Sequence, residues 1–592
     1  MKLPGSLLRL PFANDAASLW RVIDEPMAPD LAPAELPTMP DVYSMYAPIT
    51  AAAIGLVNPV GTGGDRGMLA NLARAAFSVT GAGVKIGILS DTFNLRGGYA
   101  NDQSTGALQS GFKVLQEGPA GGGDEGRAMA QLIHQIAPGA QLMFYSAFRS
   151  EVDFANGIKA LATAGATVIV DDVTYLDEPF FQDGGIVQAA VASVVANGVS
   201  YFTSASNQGT NFYEHSFAAV AAPLPGLTGS YKAMNFATAG AAQTMQSLTI
   251  AKGSTATLDL QWDQPFKSIG TGHASANSLG LVLYDTSGRI VASALTNRTG
   301  GDPVQILRFS NTTAATSFRL AIITNGGSTP PGLFKYIAYG SGTTINDANA
   351  GKGSGTVIGH ENMAGANSVG AIAAANTPAL GGKGAIEAFS SVGPGTILFD
   401  AKGNRLAAAT SGHKVDFVAP DGIVTSVFNP FYGTSAAAPD AAAVAALMLQ
   451  ANPALTPAQV TAMLAQSAIK VTGPAGGIGA GLIQATSAVQ QAIAAKTSSI
   501  TTVTAGLAPP PMAAAFLGET AQTWTLAPLA APPPIASLVH DLSGSTDFFA
   551  QLTPGTLWPE TQITTGTAFA LSHNLGGQVI EILPDWSTHA FS

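Results

Sequence analysis

At 592 residues the chain is too long for one compact core, and a prior of roughly 150 residues per domain allows either several domains or one large α/β domain carrying an insertion. With 46% apolar and 11% charged residues and a formal charge of −11 spread without runs, the composition is globular. It speaks against nucleic acid or an anionic membrane as a partner, since both require Lys/Arg clusters, and the absence of cysteine excludes disulfides, thiol catalysis and thiolate metal sites.

Residues 1–75 are rich in Pro and Ala and read as a leader, with one short helix near "GMLANLARAAF". The opening "MKLPGSLLRLPFAND" is interrupted by Pro4, Gly5, Arg9 and Pro11, so no signal peptide is recognised, and no apolar run reaches the roughly 18 residues of a membrane span. Order begins at "GAGVKIGILSD", a nearly continuous apolar run ending at Asp91, as expected of a parallel strand buried on both faces. Helix and strand then alternate: a helix after Glu125, the strand "QLMFYSA", a helix through "FANGIKALATAG", the strand "ATVIVDD", a helix through "IVQAAVASVVANG" and the strand "VSYFTSAS". This alternation predicts a parallel sheet with helices on both faces over residues 76–210. In such sheets chemistry collects at the carboxyl ends of the strands, where Asp91, Asp171, Asp172 and Asn207 fall.

Over residues 211–353 the period becomes two, in "STATLDLQWD", "SLGLVLYDTSGRIVASAL", "QILRFS" and "SFRLAIIT", which predicts an inserted antiparallel β-sandwich. The α/β pattern resumes over 354–496 with "SVGAIAA", "KVDFVAP" and the helix "SAAAPDAAAVAALMLQANP". Residues 497–592 read as a Pro/Ala linker and C-terminal extension, in which Trp558 and Trp586 could pack on the body.

The most specific stretch is "YGTSAAAPDAAAVAALM", Tyr432 to Met448. It brings Ser435 onto the first turn of an Ala-rich helix, with Pro439 early enough for its missing N–H to cost little. Free N–H groups and the helix dipole there favour a developing oxyanion. "GGGDEGRAMAQLIHQIAPGAQL" places Asp124 and Glu125 at another helix start, where carboxylates are favourable whether or not they do chemistry.

The Tyr432–Met448 segment resembles the nucleophile motif of the subtilisin-like serine peptidases, in which Gly-Thr-Ser precedes an Ala-rich helix with an early proline. "VKIGILSD" resembles that family's first strand, ending in the catalytic aspartate, here Asp91. "YFTSASNQG" resembles the loop presenting the oxyanion-hole asparagine, here Asn207. "AFSSVGP", "VDFVAPDG" and "GAGLIQATSAV" are similar to later landmarks in the same order, so the resemblance covers about residues 80–210 and 355–495. It implies a subtilisin-like α/β fold and a serine endopeptidase acting on protein or peptide outside the cytoplasm.

One departure matters. Where the family's histidine opens this helix, the chain has Glu125-Gly126. His134, nine residues further, lies at about 900° and roughly 13.5 Å along the axis, effectively the opposite face. His360, in "VIGHENMAGANSVGAI", is a second candidate base, more readily explained by structural hydrogen bonding. The sedolisins, which share the fold, use a Ser-Glu-Asp triad, and Glu125 with Asp91 resembles it; a similar "DEGRAM" segment occurs in bacterial subtilase-like sequences. The match is mixed, because Met129 stands where sedolisins carry their aspartate and Asn207 where they carry another.

The resemblance thus implies a triad of Ser435, Glu125 and Asp91 with Asn207 in the oxyanion hole. Neighbouring carboxyls titrate as a pair sharing a proton, and a carboxylate base predicts an optimum on the order of pH 3 to 6. Asp172 binds substrate, joins the carboxyl cluster or caps the following loop, and Phe180 and Phe181 are candidates for an apolar subsite wall. No cofactor is indicated; no His/Glu cluster has metal-ligand spacing, although Ca²⁺ could still bind backbone carbonyls. The rival reading is a catalytically inactive subtilase-fold module that binds peptides or proteins.

Overall fold

In the computed structural model, the described residues are 62–505, except 270–271 and 413–414, together with the short strands 42–44, 571–575 and 578–582. In chain order come β1 (Val42–Ser44), α1 (Gly63–Gly67), α2 (Ala70–Phe77), β2 (Lys85–Ser90), α3 (Tyr99–Thr105) and β3 (Lys113–Gln116). There follow α4 (Glu125–Ile136), β4 (Gln141–Ser146), α5 (Glu151–Thr163), β5 (Val168–Asp171), β6 (Val173–Tyr175), α6 (Ile186–Ala196) and β7 (Ser200–Ser204). After the insertion come the strands Ala366–Ala373 and Phe417–Asp421, then α7 (Thr434–Ala451), α8 (Pro457–Ser467) and α9 (Ala485–Ala505).

Seven parallel strands form the central sheet, in the order Phe417–Asp421, Ala366–Ala373, β7, β5, β2, β4, β3. β2 sits inside it with Ile86, Ile88 and Leu89 wholly buried, which is why its sequence is a run and not an alternation. Helices α4, α7 and α9 cover one face and α5 and α6 the other, each with its own apolar core. The interior of α7 is buried on every side and lined by alanines, so a helix can lie close against the sheet. Pro439 is its sixth residue, deeper than the first turn, so the bond its N–H would make to the Ser435 carbonyl is missing. Residues 63–77 belong to this body: Met68, Ala70 and Ala73 join the core beneath α7 and α9.

Between β7 and Ala366 the chain builds two facing antiparallel sheets. One orders Val304–Ser310, Thr255–Trp262, Leu333–Tyr339 and Phe212–Ser216, and the other centres on Leu279–Tyr284 and Ser317–Thr324. Trp262, Leu258, Leu281, Leu320 and Tyr336 fill the space between them. The sandwich is anchored on the segment after β6: Phe180 N–H donates to Gln261 Oε1 at 2.8 Å, and Gln261 Nε2 donates to the Glu178 carbonyl at 2.9 Å. Lys335 Nζ lies 4.9 Å from the centre of the Phe180 ring, and burial lowers its pKa to about 8. Phe180 and Phe181 are therefore buried at this junction with Phe212 and Ile337 and form no open subsite wall.

A second unit, Ala508–Ser592, contains Leu571–Leu575 paired antiparallel with Gln578–Ile582; Trp558 and Trp586 lie outside the described residues.

Candidate active site

The carboxyl ends of β2, β5 and β7 and the first turns of α4 and α7 converge on one place. Asp91 follows β2 directly. Its Oδ1 accepts the Glu125 N–H at 2.8 Å and the Thr92 N–H, and its Oδ2 accepts the Gly123 N–H. Burial nevertheless raises its pKa, against the lowering effect of these bonds. The same bonds pin the start of α4 against the sheet.

Asp124 and Glu125 divide the work at that start. Asp124 has left-handed backbone, φ 60, and is buried. Its Oδ1 accepts from Thr92 Oγ1 at 2.9 Å and Leu95 N–H at 2.8 Å, and its Oδ2 from Arg96 N–H at 3.0 Å and Arg127 Nη2 at 3.2 Å. It organises the loop. Glu125, the first residue of α4, is 2% exposed and turns to the carboxyl cluster. Met129, one turn on, is in the apolar core, and His134 lies at the far end of the helix, where burial lowers its pKa.

Gly126 is required by packing: a Cβ there would enter the Phe144 ring and crowd the Thr92 carbonyl, which accepts the Gly126 N–H at 3.1 Å. Gly126→Ala is therefore expected to cost on the order of 1–3 kcal/mol in denaturant unfolding by overpacking. It should also displace Glu125, so activity should fall further than the lost stability accounts for.

The parallel register pairs Leu89 with Asp171, so Asp172, the next residue, lies beside Ser90 and just short of Asp91. Asp172 is fully buried. Neither carboxyl oxygen has hydrogen-bond geometry with a neighbour, although Ser90 is close enough to oppose the rise in its pKa. Burial first, then Glu125 and Asp91, push that pKa well above the carboxylate range, which favours the protonated form of Asp172.

Asn207 stands in the loop after β7. Its Oδ1 accepts from the Thr434 N–H and the Thr434 hydroxyl, both at 3.0 Å, which fixes which end of the amide is oxygen. Its Nδ2 is left buried with no hydrogen-bond partner, beside the residue that precedes Ser435. Ser435, second in α7, is buried, and its Oγ has no hydrogen-bond partner either. Asp421 Oδ2 accepts the Gly433 N–H at 2.9 Å and steadies the turn into the helix.

His360 belongs to a different cluster. Its Nδ1 lies 2.8 Å from Glu178 Oε1 and its Nε2 3.2 Å from Asp171 Oδ1. Burial alone would depress its pKa, but Glu178 and Asp171 lift it well above the ordinary histidine value, making it a buried imidazolium with both nitrogens engaged. Adjacent residues Asp171 and Asp172 thus serve separate clusters, Asp171 with His360 and Asp172 with Glu125. Sequence reasoning missed Glu178 and Glu361 in the His360 cluster; the signal was a twin aspartate at a strand end, where side chains alternate.

A buried hydroxyl at a helix start, an amide donor beside it and a group of carboxyls holding a proton form an arrangement suited to acyl transfer. The subtilase family model matches residues 118–481, more than half the chain, including Glu125, Asp172, Asn207 and Ser435. Among solved structures, the chain is similar to the Clostridium perfringens CspB protease at 12% identity, covering 73% of this chain and 97% of that one with TM-score 0.44. It is also similar to MycP1 from Mycobacterium smegmatis at 14% identity, covering 76% and 90% with TM-score 0.33. The prenylagaramide maturation protease PagA is similar at 13% identity, covering 71% and 98% with TM-score 0.33. Curated protein sequences give no match. The chain belongs to the subtilase family and is a serine-type peptidase.

Proposed function

We propose that the protein is an endopeptidase using Ser435 as nucleophile, Glu125 as general base and Asp91 as the group that orients Glu125, with Asn207 in the oxyanion hole. The observation that carries this reading is the Asn207 amide, whose donor end is unsatisfied next to Ser435. As Ser435 Oγ bonds to a peptide carbonyl carbon, its proton passes to Glu125. The carbonyl oxygen becomes an oxyanion held by Asn207 Nδ2 and the Ser435 N–H. Collapse breaks the C–N bond, and Glu125 returns the proton to the leaving amine. Water then repeats the sequence on the acyl-enzyme and frees the acid.

Asp172 supports acid activity. Protonated, it adds no third charge beside Glu125 and Asp91; once it ionises, the cluster repels itself. The rate should rise as the base ionises and fall as Asp172 loses its proton, giving a bell on the acid side of neutrality. Such an optimum fits work outside the cytoplasm; no helix among the described residues is long and apolar enough to cross a membrane. The mechanism requires no cofactor.

Digestion of casein from about pH 3 to 9 tests the reading, with labelling by a serine-directed phosphonate at the optimum. An acid bell with labelling at Ser435 is the expected result. An optimum at or above neutrality would remove the carboxylate base, and a folded chain that neither cleaves nor labels would be a peptide-binding module.

A further inference from the structure

The edge of β6 accepts a strand: β1 pairs with it antiparallel, in the register Val42 to Tyr175, Tyr43 to Thr174 and Ser44 to Val173. Because β6 runs away from Asp172, a strand antiparallel to it runs toward Asp172 and the serine. A substrate bound in this way would lie on β6 with the residues that precede its scissile bond. Residues directly opposite across an antiparallel pair project to the same face, and alternate residues share it. On that face Thr174 donates its hydroxyl to Glu361 Oε1.

Glu361 is fully buried, and its Oε2 has no hydrogen-bond partner. Burial pushes the carboxyl well above its usual range; the His360 imidazolium and the Ile358 amide oppose the rise, while Glu178 and Asp171 add to it. The adjacent imidazolium, His360, is already shared between Asp171 and Glu178. The interior behind β6 therefore places Asp171, Glu178 and Glu361 around the imidazolium of His360. Neighbouring strands lie about 4.8 Å apart, so the short Thr174 reaches Glu361 from β6 itself, whereas a residue on the added strand needs a long side chain to do so.

We propose that Glu361 is a specificity determinant that receives the ammonium or guanidinium of a lysine or arginine on the acyl side of the scissile bond. The inference rests on the proteolytic reading and names its substrate class: peptides with a basic residue within the three positions before the cut. The cation would bond Oε2 while Thr174 holds Oε1, adding a positive charge where the His360 imidazolium is already shared between Asp171 and Glu178.

Two measurements on the full chain separate this from the reading beneath it. In the first, peptides carrying lysine or norleucine at each of the three acyl-side positions are cleaved by the native protein and by Glu361→Gln, which keeps an oxygen for Thr174. The native protein should favour lysine over norleucine at one position at least 10-fold in kcat/KM, and in Glu361→Gln that ratio should fall towards one. In the second, the same peptides are titrated calorimetrically into Ser435→Ala, with and without Glu361→Gln, where recognition is read without turnover. Cleavage with no basic preference, or one unchanged in Glu361→Gln, overturns the inference alone. Lysine-selective binding without any cleavage by the native chain overturns the endopeptidase reading and leaves the role of Glu361 standing. Neither binding preference nor cleavage overturns both.

Discussion

Glu125→Gln is expected to lower kcat on casein about 10⁴-fold, and Ser435→Ala at least as much, with the double variant no worse than either alone because the residues act as a unit. Glutamine keeps the length of the side chain, and the backbone N–H at 125 still donates to Asp91 Oδ1, so the first turn of α4 and the fold should survive. What is lost is an oxygen able to take a proton from Ser435. On the proposed reading the substrate lies along β6, away from Glu125, so KM should change little. The companion variant Asp172→Asn carries the proton-bound shape permanently. It should retain acid activity and move the alkaline limb of the pH profile upward, because the third charge beside Glu125 and Asp91 can no longer form. A Glu125→Gln enzyme that turns over at the native rate would sink the assignment. His360 is poorly placed to take over, since both its nitrogens already face carboxylates.

The parts of this site that could be read from the sequence are those fixed by local physics. A buried parallel strand is a hydrophobic run, and Asp91 ends one; a serine at the start of an alanine-rich helix has few other reasons to be there. The sandwich was visible because a two-residue period replaces the run. The choice of Glu125 over Asp124 came from the family resemblance and not from local physics, because both are ordinary first-turn carboxylates. What holds Asp124 in the loop is its left-handed backbone and Thr92, Leu95 and Arg96, more than 25 residues earlier. The pair Asp171 and Asp172 announces alternation without naming the partners, since His360 and Glu361 arrive from nearly 190 residues away, after the whole insertion. Phe180 and Phe181 read as a subsite wall for the same reason: the sandwich that buries them is formed by later sequence. The α2 helix was recognisable, but its place in the core was not, because its partner α9 lies more than 400 residues further on.

Thermal stability should be greatest in mild acid and decline as the pH rises, and Asp440→Asn should remove part of that decline. Asp440 lies on α7 under α1, with Gly64 packed against its Oδ2, and neither oxygen has a hydrogen-bond partner. Burial, then Asp65 and Asp421, raise its pKa well above that of a free aspartate. Both neighbours are committed elsewhere, Asp65 to Arg74 and Asp421 to Gly433. A carboxyl whose folded pKa lies above its unfolded value stabilises the fold fully below that unfolded value, about 3.9, and the contribution is lost as pH rises through the folded pKa. Asp172, Asp421, Glu151 and Glu361 are raised in the same direction, and His360 adds a term of the same sign that fades only above about 6.5. Asp285, lowered to about 2, and Asp400, also lowered, act in the opposite sense, but both lie at the surface where solvent screens them. The buried groups therefore set the slope. An asparagine at 440 has nothing to ionise, so the variant should gain at least about 1 kcal/mol over the native chain at pH 7 and almost nothing at pH 4. Melting curves of both proteins at the two pH values decide the matter. An equal difference at pH 4 and 7, or a native melting temperature that climbs with pH, would show that these carboxyls are not held protonated by the fold.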